Sequence, residues 1–289
     1  MDLEQTAIKR LQYAADISAQ YYNAPLIVTY SGGKDSEVLL ELARRAEIDF
    51  EVQHNHTTAD APETVRHVRE TFKRLELEGI PCTINYPFYK GQRVSMWTLI
   101  PQKLMPPTRL ARYCCEVLKE HGGKNRCITT GVRWDESTKR AKNQDFITPN
   151  KKDKEGNWIG FSDNEESRRE FEACPIKGKT TINPIIDWKN SDIWEFARIE
   201  KLNMNPLYEC GFDRVGCIGC PLAGDKRYFE FHTYPCYEQH YRRAFDRLAA
   251  ARKAAGKTNE GQWQTGEGIF RWWMEDKNLD GQLKFGDTP

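Results

Sequence analysis

Leu26-Ile27-Val28-Thr29-Tyr30, running directly into Ser31-Gly32-Gly33-Lys34-Asp35-Ser36, decides how this chain folds. The first half is a short apolar run with β-branched residues, the pattern of a buried strand. The second half is a turn whose paired glycines let the backbone approach an anion without interference from a Cβ. It opens onto Leu39, Leu40, Leu42 and Ala43, the apolar face of a following helix. The N–H groups at the start of such a helix face a ligand along the favourable end of its dipole. The stretch therefore reads as a phosphate cradle at a strand end and points to ATP. It is not the G-x-x-x-x-G-K-S/T loop, so γ-phosphate chemistry of the kinase or GTPase type is not what it suggests.

Outward from this loop the chain alternates. Residues 1–22 read as an amphipathic helix, with Ile8, Leu11, Ala15 and Ile17 at helical spacing. Strands are predicted over 26–30, 50–55, 82–86, 127–132 and 182–186, and helices over 37–46, 63–77, 109–120 and 192–202. Asp60, three residues before Glu63, marks a capping-box-like start with Pro62 in the first turn. Strands separated by helices predict an α/β fold, a doubly wound parallel sheet covered on both faces, with ligands at the carboxyl ends of the strands. From 143 to 179 the chain turns polar and charged and reads as a mobile excursion over the site. The tail from Lys226 reads as helical through Ala255, and its Trp263, Phe270, Trp272 and Trp273 are expected to pack against the sheet domain rather than to stack on bases. The expected division is a nucleotide-binding α/β domain over 1–206 and a helical C-terminal extension over 207–289.

Bulk properties narrow the class. The 289 residues are 39% hydrophobic and 29% charged, with a net charge of +1. That balance is ordinary for a soluble enzyme and gives no long-range pull on nucleic acid, so any basic binding surface must be local. No apolar run approaches the roughly 20 residues that span a bilayer, and Met1-Asp2-Leu3-Glu4-Gln5 lacks the order of a signal peptide. The expectation is a cytosolic protein with no membrane partner. Nine cysteines, odd in number and unevenly clustered, suit a reducing compartment and a metal site better than a disulfide framework.

Two cysteine pairs, Cys114-Cys115 and Cys217-Ile218-Gly219-Cys220, stand about a hundred residues apart. Four thiolates serve either an iron–sulfur cluster or a structural zinc, and ligand count leaves both open. Lys34 is a point charge suited to β- and γ-phosphate oxygens and Asp35 a carboxylate able to help hold Mg²⁺, which makes them the candidate catalytic pair. Arg133 and Arg140 are candidate phosphate or sulfate ligands, because a planar guanidinium grips such groups with two hydrogen bonds. His54 and His56 rank below the loop as structural histidines, and Cys174 reads as a bystander thiol.

The hexapeptide Ser31–Ser36 resembles the S-G-G-x-D-S loop of the ATP pyrophosphatase superfamily, which holds pyrophosphate while AMP is transferred to a substrate. Asn183-Pro184-Ile185-Ile186-Asp187-Trp188 with Asp192-Ile193-Trp194, Asn205-Pro206-Leu207-Tyr208 with Gly211-Phe212 and Gly216-Cys217, and Thr130-Gly131-Val132-Arg133 with Asp135, Ser137 and Arg140 resemble blocks of the sulfonucleotide reductases. His54-Asn55 and 57–63 are similar to the same reductases and to the ATP sulfurylase small subunit. Together these blocks cover most of residues 24–222, so the chain is identified as a member of the phosphoadenylylsulfate reductase family, broadly taken. The resemblance implies that Ser31, Gly32, Gly33, Lys34, Asp35, Ser36, Arg133 and Arg140 bind ATP with Mg²⁺. It also implies that Cys114, Cys115, Cys217 and Cys220 hold a 4Fe-4S cluster, completed by the C-terminal segment.

Two departures separate the chain from the reductases. Its loop is the intact form of ATP-consuming members, and no cysteine follows Cys236, where the reductases carry a nucleophile in a Glu-Cys-Gly-Leu-His context. Glu209-Cys210-Gly211 reproduces three of those letters at a different place. An intact loop with cluster cysteines resembles the ATP pyrophosphatase subunits of DNA phosphorothioation systems and some tRNA thiolases, and the stretch from Trp97-Thr98-Leu99-Ile100-Pro101 to Tyr113-Cys114-Cys115 resembles the phosphorothioation branch. That resemblance implies adenylation of an acceptor for sulfur insertion, with a cysteine desulfurase or other sulfur donor, nucleic acid and further subunits as partners. Lys103, Arg109, Arg112, Lys139, Arg140 and Lys142 are the candidate local basic face. The alternatives are a reductase of adenylylsulfate or its 3′-phosphorylated form, and a non-catalytic subunit that senses nucleotide or cluster.

Overall fold

In the computed structural model, β1 (Leu26–Thr29) has Leu26, Ile27 and Val28 almost wholly buried, as a strand covered on both faces requires. The structure describes residues 2–136, 141, 144–148, 159–173, 178–257 and 261–275. These fall into two units, each assembled from separated stretches of chain. The first comprises 1–55, 62–85 and 121–216, and the second 56–61, 86–120 and 217–289.

The first unit is a six-stranded sheet with flanking helices. Its strands are β1, β2 (Phe50–Asn55), β3 (Cys82–Asn85), β6 (Cys127–Thr129), β7 (Ile147–Thr148) and β8 (Thr180–Ile182), in the spatial order β3-β2-β1-β6-β8-β7. Every pairing is parallel except β7 with β8, an antiparallel edge. The chain winds from β1 outward through β2 to β3, then returns to β6 on the other side of β1. The crevice where this order reverses lies outside the carboxyl ends of β1 and β6, the general ligand position in such sheets.

Helices α1 (Leu3–Tyr22), α2 (Lys34–Arg45) and α3 (Pro62–Leu77) belong to this unit. Asp2 caps α1 by accepting the Glu4 amide, and its buried side chains Ala7, Arg10, Leu11, Ala14 and Ile17 recur at helical spacing. Arg10, only 6% exposed, donates to the Pro184 carbonyl and pairs with Asp163 at 2.7 Å and Asp187 at 2.8 Å. These bonds tie α1 to two distant segments. Burial alone would raise the Asp163 carboxyl, but the hydrogen bonds from Arg10 and Arg168 outweigh it and hold it below the usual range.

Three expectations are revised. The strand foreseen over 182–186 is β8, which ends at Ile182: Pro184 has no N–H for the ladder, and Ile185 and Ile186 are buried in a turn instead. The foreseen helix 109–120 begins only at Tyr113, as α5 (Tyr113–Leu118). The polar stretch 143–179, read as an excursion, contributes β7 and α6 (Glu165–Ala173), with Phe146, Ile147, Phe161 and Phe171 in the core. A few well-placed aromatics anchor it despite its charge. The last helix of this unit is α7 (Asn190–Ile199).

The second unit is helical apart from one ribbon. It holds β4 (Phe88–Tyr89) paired antiparallel with β5 (Gln92–Arg93), then α4 (Met96–Lys103), α5, α8 (Lys226–Thr233), α9 (Pro235–Ala254) and α10 (Gly266–Glu275). The helical tail is broken at Tyr234, because Pro235 cannot donate into a preceding turn but starts a new one well. Tyr241 and Phe245 of α9 meet Trp273 of α10 at ring-centroid distances of 4.6 and 5.3 Å, and Tyr241 meets Trp97 of α4 edge-on at 4.8 Å. Arg227, 1% exposed, donates to the Trp273 and Met274 carbonyls and so satisfies the end of α10. Phe270 and Trp273 are thus packing residues, but their ring partners are Phe231, Tyr241 and Phe245 of this helical unit, where the expectation was packing against the sheet domain. No described helix is long and apolar enough to cross a membrane.

Candidate functional site

In the first unit the loop after β1 is held open by its neighbours. Gly32 has φ of +74°, and a Cβ there would stand 3.1 Å from Val68 Cγ2, so both conformation and space require glycine. Asn205 donates to the Gly32 carbonyl (3.0 Å) and to Thr64 Oγ1 (3.2 Å), pinning the loop to α3. Ser36 turns its hydroxyl inward: it donates to the Gly33 carbonyl at 2.7 Å and accepts the Ser31 amide at 3.2 Å. Gly33 caps α2 with extended backbone and no side chain in the way, leaving the first amides of the helix to other acceptors.

One of those amides is occupied. The Lys34 N–H donates to the Tyr208 hydroxyl at 2.9 Å. Burial pushes the Tyr208 phenol up to about 12, against the lowering effect of the amides of Lys34 and Val215 that it accepts. A neutral hydroxyl therefore stands at the positive end of α2, where an anion would be favoured. Sequence reasoning noted Tyr208 only as part of a turn and gave it no part in the loop.

Asp35 is bracketed by two cations. Lys34 Nζ lies 3.1 Å from Asp35 Oδ2, and Arg133 Nε donates to Asp35 Oδ1 at 2.7 Å. Arg133 is 2% exposed and also donates to the Trp188 carbonyl. It was expected as a phosphate ligand; here it is directed at Asp35. Gly131 permits this, since a Cβ there would be 3.0 Å from the Asp35 carbonyl carbon. Arg140, Lys139 and Lys142 lie outside the described residues, as does Cys174.

Beneath the loop lies a network that the sequence did not announce. Glu37 of α2 accepts from His67 of α3 and from the Tyr30 hydroxyl, all three of them buried, and Tyr30 also reaches Thr71. Burial raises the Tyr30 phenol well above its ordinary value, with the Glu37 charge adding to it. The carboxylate in the first turn of α2 complements the helix dipole and fixes the direction of the loop's helix against α3. His54 bonds to the Tyr30 carbonyl at 2.9 Å.

The second unit gathers the four cysteines. Cys114 and Cys115 are adjacent on α5, and each thiol shifts the other. Cys114 is raised by the neighbouring Cys115 and by burial, with further contributions from Cys217 and Cys220. Cys115 is drawn down to about 5, first by Cys114 and then by the charges of Arg112 and Lys119; Arg112 Nη2 lies 3.5 Å from its sulfur. Cys217 is pushed up to about 11 by burial, which the Lys119 charge opposes. Lys119 itself is raised, mainly by Cys217. A cation among thiols offsets the charge that four thiolates would bring.

The Cys217–Cys220 turn is shaped by its surroundings. Ile218 donates to the Ala59 carbonyl at 2.8 Å, Cys217 pairs in a bridge with Asp60, and the Cys217 thiol donates to Thr57 at 3.4 Å. Gly219 has φ of +73°, and a Cβ there would lie 2.5 Å from Phe231 and 2.7 Å from Tyr241. Tyr241 donates to the Ile218 carbonyl, and Glu230 accepts the Gly219 amide at 2.6 Å. Arg109 donates to the Pro221 carbonyl, so it and Arg112 serve this neighbourhood. Lys119 carried no motif, and Thr57 and Asp60 were marked only within 57–63, as a helix start and a stretch of family resemblance, with no tie to the cysteines. Of the other described cysteines, Cys82 and Cys127 are each pushed up to about 12 by burial, while Cys210 and Cys236 are exposed.

Comparison with known proteins adds the following. Two uncharacterized proteins of Methanocaldococcus jannaschii are 29% and 26% identical over 70% and 86% of the chain. The chain spans only 42% and 46% of their lengths. Sulfate adenylyltransferase subunit 2 of Aeromonas salmonicida is 26% identical over 71% of the chain and 65% of its own. Among solved structures, a phosphoadenylyl-sulfate reductase from Candida auris is 15% identical, with a TM-score of 0.45 over 73% of this chain and 88% of that one. A U34-tRNA thiolase from Methanococcus maripaludis, solved with its 4Fe-4S cluster, is 12% identical, with a TM-score of 0.44 over 89% of this chain and 80% of that one. The model of the phosphoadenosine phosphosulfate reductase domain matches residues 25–223, a stretch that takes in the Ser31–Ser36 loop and all four clustered cysteines, and the chain belongs to that family.

Proposed function

We propose that this protein is an ATP pyrophosphatase that adenylates an acceptor so that sulfur can replace an oxygen, with nucleic acid as the acceptor, in DNA phosphorothioation or tRNA thiolation. The observation that carries the reading is the loop Ser31–Ser36 itself: intact, glycine-capped at α2 and backed by a buried Glu37 network. In the adenylation step an acceptor oxygen attacks the α-phosphorus of ATP. The bond to the bridging oxygen of the β-phosphate breaks, and pyrophosphate leaves with that electron pair.

The residues divide the work. Amides at the start of α2 receive phosphate oxygens, which displace the Tyr208 hydroxyl from Lys34 N–H. Lys34 shifts its charge from Asp35 to the β- and γ-phosphates and steadies the leaving pyrophosphate. Asp35 alone is too few oxygens for Mg²⁺, but the triphosphate supplies the others, and Arg133 holds the carboxylate in place. The four cysteines fit a 4Fe-4S cluster: thiolates are its ligands, and the Lys119 cation stands among them. Cys114, Cys115, Cys217 and Cys220 would hold the cluster, which when bound supplies an iron able to carry a sulfur atom for transfer. A cysteine desulfurase or comparable donor would deliver that sulfur as a persulfide, and a thiol reductant would supply the two electrons that bring it to the sulfide level. Attack of this sulfur on the adenylated centre would expel AMP with the acceptor's original oxygen.

The test is the product profile of the full chain with ATP labelled at the α-phosphate. AMP and pyrophosphate are expected, and Asp35→Ala abolishes both while the far-ultraviolet spectrum is kept. ADP and phosphate as the main products would overturn the reading.

A further inference from the structure

The stretch from Gly79 to Cys115 contains Lys90, Arg93, Lys103, Arg109 and Arg112 and not one aspartate or glutamate. The chain as a whole carries 43 basic and 42 acidic residues. A stretch of this length would hold about five acidic residues at the mean frequency, so the imbalance is a local feature of a nearly neutral protein. Within it the β4–β5 ribbon turns at Lys90-Gly91, both with positive φ (51° and 77°), the tight hairpin geometry.

The two faces of the ribbon differ. Tyr89 is half-buried, with Lys103 Nζ 4.4 Å from its ring centroid; the same ammonium is 5.6 Å from Tyr113, the residue just before Cys114. Lys103 thus links this face to the helix carrying the cysteine pair. On the other face Phe88 is directly opposite Arg93 and 61% exposed, and the Arg93 guanidinium lies over the Tyr86 ring at 3.7 Å. Lys90, at the turn beside Phe88 and Tyr89, has its ammonium 5.5 Å from the Tyr89 ring centroid. A single exposed phenylalanine opposite an arginine is not a protein-docking patch, which needs contiguous apolar area. An exposed aromatic ring beside basic side chains is the combination by which unpaired nucleotides are held.

We infer that the Phe88–Arg93 ribbon binds a single-stranded stretch of nucleic acid, with a base stacked on Phe88 and phosphates on Lys90 and Arg93. This deepens the proposed function, on whose nucleic-acid acceptor it rests, by stating that the acceptor is engaged where it is unpaired. A duplex keeps its base faces covered and cannot use Phe88 in this way.

Fluorescence anisotropy of the full chain without ATP, using a labelled single-stranded DNA 20-mer, the RNA of the same sequence and the DNA duplex over a range of salt, tests this. Binding to either single strand in preference to the duplex is expected, and the DNA and RNA arms tell which source is favoured. Phe88→Ala should weaken single-strand binding about tenfold with the salt slope unchanged. Phe88→Trp should restore it, and Phe88→Leu should not. Lys90→Gln with Arg93→Gln should lower the slope of log affinity against log salt by about 0.7 for each phosphate no longer neutralised. Tighter duplex binding, wild-type affinity in Phe88→Ala or equal rescue by leucine would overturn the inference. The product profile of the same preparations keeps the two readings apart: AMP and pyrophosphate without strand binding would remove the ribbon and leave adenylation standing.

Discussion

The nucleotide loop of the first unit and the thiol group of the second are built on opposite plans. The loop is six consecutive residues whose proposed function rests on backbone amides, with distant side chains such as Asn205 and Arg133 bonded to it. The thiol group has no local backbone of its own: its parts come from 57–60, 109–119 and 217–241, and side-chain charge decides its character. A contiguous site tolerates weak bracing and fails when its glycines or its charged pair fail. A dispersed site fails when any one of its contributors is removed. Substitutions that break or sharpen this contrast can be ranked by size.

The largest effect is expected for Cys217→Ser. Anaerobically prepared wild-type protein should contain iron and acid-labile sulfide near four per chain, with the visible absorption of thiolate-bound iron. The variant should lose nearly all of both. One zinc and negligible iron in the wild type would show a structural site instead.

Next is Arg133→Ala in the first unit. Removing one partner of a buried ion pair costs about 3–5 kcal/mol, and the lower end applies because Lys34 still neutralises an Asp35 that is 20% exposed. Thermal or urea unfolding should show that loss, and pyrophosphate release should fall with it. Unchanged stability would mean that Arg133 does not brace Asp35.

The smallest effect is expected for Tyr208→Phe. The loss of one neutral hydroxyl frees the Lys34 amide, so inorganic pyrophosphate should bind about threefold to tenfold more tightly, the scale of one net hydrogen bond. Weaker binding would mean that the hydroxyl contacts phosphate itself.

The contrast also explains what could be read from the sequence. The loop, β1, β2 and the parallel sheet were legible because each is a local pattern: alternation in β2, an apolar run in β1, glycines at a strand end. The four cysteines were legible as two pairs, but their grouping rested on resemblance. Lys119 was not legible, since nothing local marks a lysine that folding brings beside thiols, and Thr57 and Asp60 were marked only as parts of 57–63 and not as neighbours of the cysteines. The Glu37–His67–Tyr30 network was hidden for the same reason: each residue is ordinary for its own element, and only the packing of α2 on α3 joins them. The edge strand β7 was missed because two residues in a charged stretch carry no periodicity, while the burial that fixes it comes from Phe146 and Phe161.

The central claim is that the loop activates the acceptor and the thiol group serves only the sulfur step. Its most direct test supplies wild-type and Cys217→Ser protein with ATP, Mg²⁺, a cysteine desulfurase with labelled cysteine, a thiol reductant such as dithiothreitol, and a single-stranded acceptor. Pyrophosphate release and labelled sulfur in the acceptor are then measured in the same reaction. Wild type should yield both, and Cys217→Ser should keep most of its pyrophosphate release while incorporating no sulfur. Loss of pyrophosphate release together with sulfur transfer in a folded Cys217→Ser protein, or ADP as the wild-type product, would contradict the account.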